Sequence, residues 1–274
     1  YSYASQPFAL TVTARNFVGN TTQNYDGSVN TTPNFAKATT LTDANGVAGA
    51  LVGGALAVNS FAAGVTNVQP SFTFATRQTA RSVIKLRAVD ADGVTSLRVM
   101  PAVTVEGTTT IRSGRASLLN AYGSQLLDLP MRFRTEFWNG AGWVQNTADN
   151  CTGNALLSPL NAVSVTLIPA PAQATTCVWD SSSPGLSGVG CAVAGPAARQ
   201  FREGLTMVAG PAPLLLGDFN LWLRQPGVAT HITVTGNVPT WLQFPWVGAV
   251  PNNPRARATF GVYRSPLIYR RENH

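Results

Sequence analysis

The chain has 274 residues and a formal net charge of +7, yet only 11% of its residues are charged, against about a quarter in an ordinary soluble domain. The basic charge is almost all arginine, with Lys37 and Lys85 the two lysines, and it is scattered until the C-terminal end, which argues against nucleic-acid binding because a phosphate footprint needs a clustered basic face. No stretch reaches the roughly 18 consecutive apolar residues of a membrane helix, so no direct membrane span is expected.

The chain opens at Tyr1 in strand-like sequence without a charged leader, which reads as a mature chain or a fragment of a longer one. Phe8, Leu10, Val12 and Ala14 then alternate with Ala9, Thr11, Thr13 and Arg15, the period of a half-buried strand. Turn residues follow at Tyr25-Asp26-Gly27. Between Thr42 and Ala63 the sequence is rich in Ala and Gly, and Gly46, Gly49, Gly53 and Gly54 oppose a stable helix, so irregular strands and loops are expected. Ile84, Leu86 and Ala88 alternate with Lys85 and Arg87, again as one buried face and one open face. A turn motif occurs twice, as Asp43-Ala44-Asn45-Gly46-Val47 and Asp90-Ala91-Asp92-Gly93-Val94, too few copies for a repeat protein.

The segment from Glu106 to Gly114 reads as a separator, so a domain boundary is placed near residue 105. Residues 1–105 have the roughly 100-residue length of an immunoglobulin-like β-sandwich. Residues 106–274 are read as a larger antiparallel β-sandwich, with a long loop around residues 169–200. Within it Met131, Phe133 and Phe137 alternate with Arg132, Arg134 and Glu136, and Ala256, Ala258, Phe260 and Val262 alternate with Arg257, Thr259 and Tyr263. Asn139-Gly140 and Pro226-Gly227 supply turns. The fold class is therefore all-β.

Cys151, Cys177 and Cys191 fall in one stretch, so one disulfide plus a free thiol is the natural arithmetic. Cys177 with Cys191 is the first choice of pair, and Cys151 with either remains open. An oxidising compartment is favoured.

Several phrases resemble the C-terminal region of MshQ, a family of the mannose-sensitive haemagglutinin type IV pilus system. They are Pro7 to Asn16 with Asn24 and Tyr25, Ile84 to Val94, Gly114 to Ser124 with Trp138 to Trp143, Ala256 to Arg264, and Ile268 to Glu272. The resemblance runs along most of the chain and lies in strand and turn sequences, without a catalytic signature. It implies a secreted, extracellular protein of a Gram-negative bacterium, at the cell surface or associated with the pilus, often preceded by a lectin-like sandwich. It carries over no catalytic or ligand residue.

Acid-base chemistry usually recruits His or paired carboxylates, and the chain has two histidines, His231 and the last residue, His274. Alternation puts His231 on the face opposite Ile232 and Val234, and no Gly-x-Ser-x-Gly elbow accompanies it. Asp90 and Asp92 before Gly93 resemble the start of a calcium loop but lack the later acidic ligand, so a plain turn is the leading reading and no metal or other cofactor is expected. Trp138 and Trp143 flank one turn, while Trp241, Phe244 and Trp246 crowd another. Flat rings there suit a sugar platform, although Trp near strand ends usually plugs a core. Arg255 and Arg257 share one face and suit an acidic partner; Arg264, Arg270 and Arg271 lie beyond them. Lys85 invites a covalent Lys–Asn link of the kind found in pilus sandwiches, but alternation turns it outward.

The leading expectation is a non-catalytic structural or interaction module that contacts pilus or other surface proteins, with an adhesive role, and whose exposed strand edges would also permit self-assembly. A glycan-binding adhesin using the four tryptophans is the second reading, and a hydrolase centred on His231 the third.

Overall fold

The computed structural model describes residues 1–28, 33–97, 105–152, 163–168, 176–178, 191 and 217–261. The long loop read at 169–200 lies outside these except at 176–178 and 191, as do Val262, Tyr263, Arg264, Arg270, Arg271 and His274. The chain divides into two compact units, Tyr1–Gly114 with Phe137–Val144, and Arg115–Glu136 with Gln145–His274. The described regular structure is strand, apart from short 3-10 turns at Val58–Ser60 and Thr240–Leu242. No helix among the described residues is long and apolar enough to cross a membrane.

The first unit holds β1 (Ser2–Tyr3), β2 (Leu10–Thr13), β3 (Thr39–Asp43), β4 (Gly49–Val52), β5 (Ala55–Leu56), β6 (Val65–Val68), β7 (Ser71–Phe74), β8 (Ser82–Asp90) and β9 (Thr108–Arg112). Five strands form one sheet in the order β1-β9-β8-β3-β5, while β2 pairs with β6 and β4 with β7. Alternation does what the residues dictate: Ile84 and Leu86 are buried while Lys85 and Arg87 stay partly exposed. Leu41, Leu56 and Phe61 pack against Leu10, Val12 and Val68, and Phe72, Ile84, Leu86 and Ile111 against Phe8, Leu10 and Phe74. The large sheet therefore closes on the two strand pairs across a shared apolar layer, which makes a sandwich. Thr108–Arg112, in the stretch read as a separator, is β9, paired with β8; its β-branched residues favour a pleated surface.

The repeated motif is a repeated turn. Asp43 Oδ1 accepts from the Asn45 N–H at 3.0 Å and its Oδ2 from the Val47 N–H at 2.7 Å. Asp90 Oδ1 accepts from the N–H groups of Asp92 and Val94 at 3.0 and 2.8 Å. Gly46 and Gly93 supply the left-handed residue, at φ +67° and +82°, which a side chain adopts only with strain.

The remaining strands are β10 (Gly114–Leu118), β11 (Ala121–Gly123), β12 (Leu129–Trp138), β13 (Trp143–Gln145), β14 (Ser164–Ile168), β15 (Asp218–Leu223), β16 (Thr230–Asn237) and β17 (Arg255–Phe260). One sheet runs β10-β12-β13, with β15 also paired to β12; the other runs β11-β17-β16-β14. The core of the second unit draws Met131 and Phe133 from β12, Leu221 and Leu223 from β15, Ile232 and Val234 from β16, and Ala256, Ala258 and Phe260 from β17. At Gly236 an added Cβ would lie 2.8 Å from the Phe133 ring, so the lack of a side chain lets β16 approach β12. Two pairings, β1 with β9 and β11 with β17, are parallel, which hydrophobic alternation does not reveal.

One alternation fails. Glu136 was expected beside Arg132 and Arg134 on the open face of β12, but it is 4% exposed, because β12 is covered on both faces at that point. Cys177 and Cys191 are joined by a disulfide with Cα atoms 5.1 Å apart, and Cys191 packs on Trp222. Cys151 is a free, exposed thiol.

Candidate functional site

In the second unit the buried Glu136 organises a surface loop. Its Oε2 accepts from Arg115 Nε at 2.8 Å, Arg134 Nε lies 3.1 Å from its Oε1, and the Ser117 hydroxyl donates to Oε1 at 3.2 Å. With its charge balanced from behind, Arg115 lies over the rings of Phe244 and Trp246, 4.8 and 4.4 Å from their centres, and those two rings meet edge to face at 5.2 Å. A guanidinium over aromatic faces contributes about 0.5–2 kcal/mol, more when shielded from water.

The loop beyond is closed by its own backbone. Phe244 and Asn252 exchange hydrogen bonds of 3.2 and 3.0 Å. The Asn252 side-chain amide donates to the carbonyls of Val250 at 3.1 Å and Val247 at 3.4 Å. At the foot, Asn253 Oδ1 accepts from the Val238 N–H at 3.1 Å and from Gln243 Nε2 at 3.2 Å. What this polar frame holds out is apolar: Val247 is 83% exposed and Val250 74%, with Trp246 at 36% and Gly248, Ala249 and Pro251 exposed among them. Burying a valine fully is worth about 1.5–3 kcal/mol, which this fold forgoes twice in a loop that is held in one shape.

The other residues singled out in the sequence are dispersed. Trp138 and Trp143 lie in the first unit, half-buried, their rings edge to face at 5.7 Å, with Arg77 over both at 5.2 and 4.9 Å. Trp241 is half-buried beside the buried Leu242. Of the four tryptophans, then, Trp246 alone is exposed, and guanidinium groups lie over three of the rings that a sugar would stack on. Arg255 and Arg257 stand exposed on one face of β17, opposite Thr235 and Thr233.

The two weaker candidates of the sequence have the following settings. The carboxylates of the weak calcium candidate are engaged elsewhere: Asp90 caps its own turn and accepts from the Tyr25 hydroxyl at 3.4 Å, and Asp92 pairs with Lys37 at 3.3 Å. Among the described residues no group of three or more His, Cys, Asp or Glu is arranged to hold a metal. His231 is exposed on the face of β16, opposite Thr259, an open strand surface where the hydrolase reading needs a cleft.

Sequence reasoning also missed a second buried carboxylate, Glu106 in the first unit. Arg87 Nε donates to it at 2.6 Å, Lys85 Nζ approaches to 3.1 Å, and its side chain is 2% exposed. The hydrogen bond from Arg87 holds its carboxyl below the usual carboxylate range, against the opposing effect of burial and with help from Lys85. The available signal was Lys85-x-Arg87, two cations on one strand face that call for an acid; Arg134-x-Glu136 is its counterpart. A cavity of about 680 Å³ in the first unit is lined by apolar residues such as Leu10, Val12, Leu41 and Leu86 and also by Arg15, Asp90 and Asp92.

Residues 1–109 match the family model described as DUF6701, third domain, and residues 112–273 that described as DUF6701, fourth domain. No curated protein matches the chain. Among solved structures it is similar to the D00-D0 domain of intimin, at 11% identity over 81% of this chain and 83% of that one, with a TM-score of 0.24. The Escherichia coli adhesin FdeC is similar at 10% identity over 94% and 60%, TM-score 0.29. The Yersinia pseudotuberculosis adhesin InvE is similar at 12% identity over 97% and 58%, TM-score 0.27.

Proposed function

Because the chain belongs to the DUF6701 family, we propose that it is a non-catalytic, extracellular interaction module of a bacterial surface protein, acting within a type IV pilus system. The observation that carries the interaction reading is the braced loop Phe244–Asn252, whose Val247 and Val250 are held in water by a polar frame. A rigid apolar protrusion loses little entropy when a partner covers it, and apolar patches framed by polar groups mark contact surfaces. The partner that fits is a protein with an apolar recess, in a pilus or on the cell surface.

The resemblance of the strand and turn phrases to MshQ favours the pilus, and a disulfide between Cys177 and Cys191 suits an oxidising, extracellular setting. In this reading residues 1–105 and 106–274 are two sandwich domains of a longer surface protein. Two buried carboxylates, Glu106 and Glu136, are used to hold strands and a loop, a structural use of groups that catalysis would leave facing a substrate.

The location is tested by shearing pili from the native bacterium and quantifying the chain by mass spectrometry in the pilus and outer-membrane fractions. Enrichment with the pili is expected. Recovery only with the outer membrane would remove the pilus assignment, and recovery only inside the cell would remove the surface role.

A further inference from the structure

The sheet β11-β17-β16-β14 of the second unit turns one face inward, where Ile232, Val234, Ala256 and Ala258 are buried. The outward residues fall into rows, because residues opposite one another on paired strands point to the same side. Thr166, Thr235 and Arg255 make one row, Ile168, Thr233 and Arg257 the next, and His231, Thr259 and Tyr122 a third. Arg255 and Arg257 therefore stand two residues apart on one face, roughly 7 Å along the strand. Both are exposed, as are His231 and Tyr122.

This face holds positive charge without a counter-charge of its own. No Asp or Glu occurs in any of the four strands, and among the described residues neither Arg255 nor Arg257 makes an ion pair. The floor beside them is rich in hydroxyls. Asn237 Nδ2 donates to Ser164 Oγ at 3.1 Å and to Thr166 Oγ1 at 2.9 Å, which leaves the Thr166 hydroxyl its own proton to donate. Thr235, between Thr166 and Arg255, is 6% exposed and its hydroxyl has no hydrogen-bond partner, a destabilising state for a buried polar group.

We propose that this face binds an acidic polysaccharide. The two guanidinium groups offer forked N–H pairs to carboxylates spaced along a chain. The hydroxyls of Thr166, Thr233 and Thr259 suit the hydroxyls of a sugar, and the exposed Tyr122 ring offers a sugar a flat apolar surface at the end of its row. A ligand that draws the Arg255 guanidinium outward also opens the Thr235 hydroxyl to a partner. An acidic peptide would meet the guanidinium groups but leave the hydroxyl rows unmatched. The inference does not depend on the loop Phe244–Asn252 or on the pilus.

The test is binding of polygalacturonate to the whole chain by calorimetry at fixed ionic strength, with polyglutamate and neutral dextran in parallel. R255Q/R257Q changes exposed side chains, so the fold is expected to persist, which its melting temperature checks. It should weaken polygalacturonate binding about tenfold or more, as loss of two charge-assisted contacts predicts. R15Q/R81Q removes the same formal charge from exposed positions of the first unit and should weaken binding by less than about twofold. R255K/R257K keeps the charge but loses the planar forks, and should weaken binding as well. Equal losses in R255Q/R257Q and R15Q/R81Q would reduce the effect to net charge and overturn the proposal. So would the absence of polygalacturonate binding, or tighter binding of polyglutamate, which would assign the face to an acidic peptide.

Discussion

Arg112 and Arg115 are close neighbours in the chain, and each lies against aromatic rings, yet their electrostatic settings are opposite. Arg115 has Glu136 directly behind it, so its charge is balanced before it reaches Phe244 and Trp246, and it serves as a flat brace for an apolar loop. Arg112 lies against the Phe137 ring with Arg81 as a like-charged neighbour. The same residue type on the same kind of ring thus stands in two settings, one with a carboxylate behind the guanidinium and one with a like charge beside it.

The comparison is broken most severely at Glu136. Glu136→Gln leaves Arg115 and Arg134 facing a neutral amide in a largely buried site, and a loss of about 3 kcal/mol is expected in denaturant unfolding. Tryptophan emission should also shift to the red as Trp246 loses its brace. A loss under about 1 kcal/mol would mean that Arg115 is balanced by something other than Glu136.

Glu106→Gln is the matched change in the first unit, but Lys85 and Arg87 are each 31% exposed, so water compensates part of the loss and about 1–2 kcal/mol is expected. Its pH dependence sharpens the comparison. The folded-state carboxyl of Glu106 titrates below the usual range, so the stabilisation is complete above that range and disappears as pH falls through the lowered value. Melting temperatures of wild type and Glu106→Gln should therefore differ at pH 7, and the gap should narrow as the pH falls below the usual carboxylate range. A gap of unchanged size across the acid range would show that the carboxylate charge is not what matters.

The smallest expected effects are at the surface. V247S/V250S and R255Q/R257Q alter exposed side chains and should each leave stability within about 0.5 kcal/mol of wild type in the same denaturant assay. A larger loss for V247S/V250S would mean that the loop packs into its own fold and is not free for a partner.

Strands were legible in the sequence wherever one face is buried. Ile84 and Leu86 against Lys85 and Arg87, and Ala256 and Ala258 against Arg255 and Arg257, behave as their alternation demands, because a period of two registers burial on one side. Glu136 was misjudged for the same reason: the period says nothing about what covers the second face. The two Asp-x-x-Gly turns were legible as turns, since their capping carboxylate and glycine are local. The pairing of β1 with β9 and of β11 with β17 depends on contacts distant in sequence and leaves no local trace.

The candidate surfaces were legible only in part. Crowding of Trp241, Phe244 and Trp246 at a turn pointed toward the loop, but an apolar side chain such as Val247 or Val250 is by default assigned to a core. The ring contacts of Arg77, Arg81 and Arg112 come from Tyr1 and from Phe137 to Trp143, so no window of sequence contains them.

The central claim, that the loop Phe244–Asn252 is the contact surface of an extracellular module, is tested most directly by producing V247S/V250S in the native bacterium and following its fractionation beside wild type and R255Q/R257Q. The prediction is that wild type and R255Q/R257Q stay with sheared pili while V247S/V250S, with an unchanged melting temperature, is released into the medium. Retention of V247S/V250S at the wild-type level would contradict it.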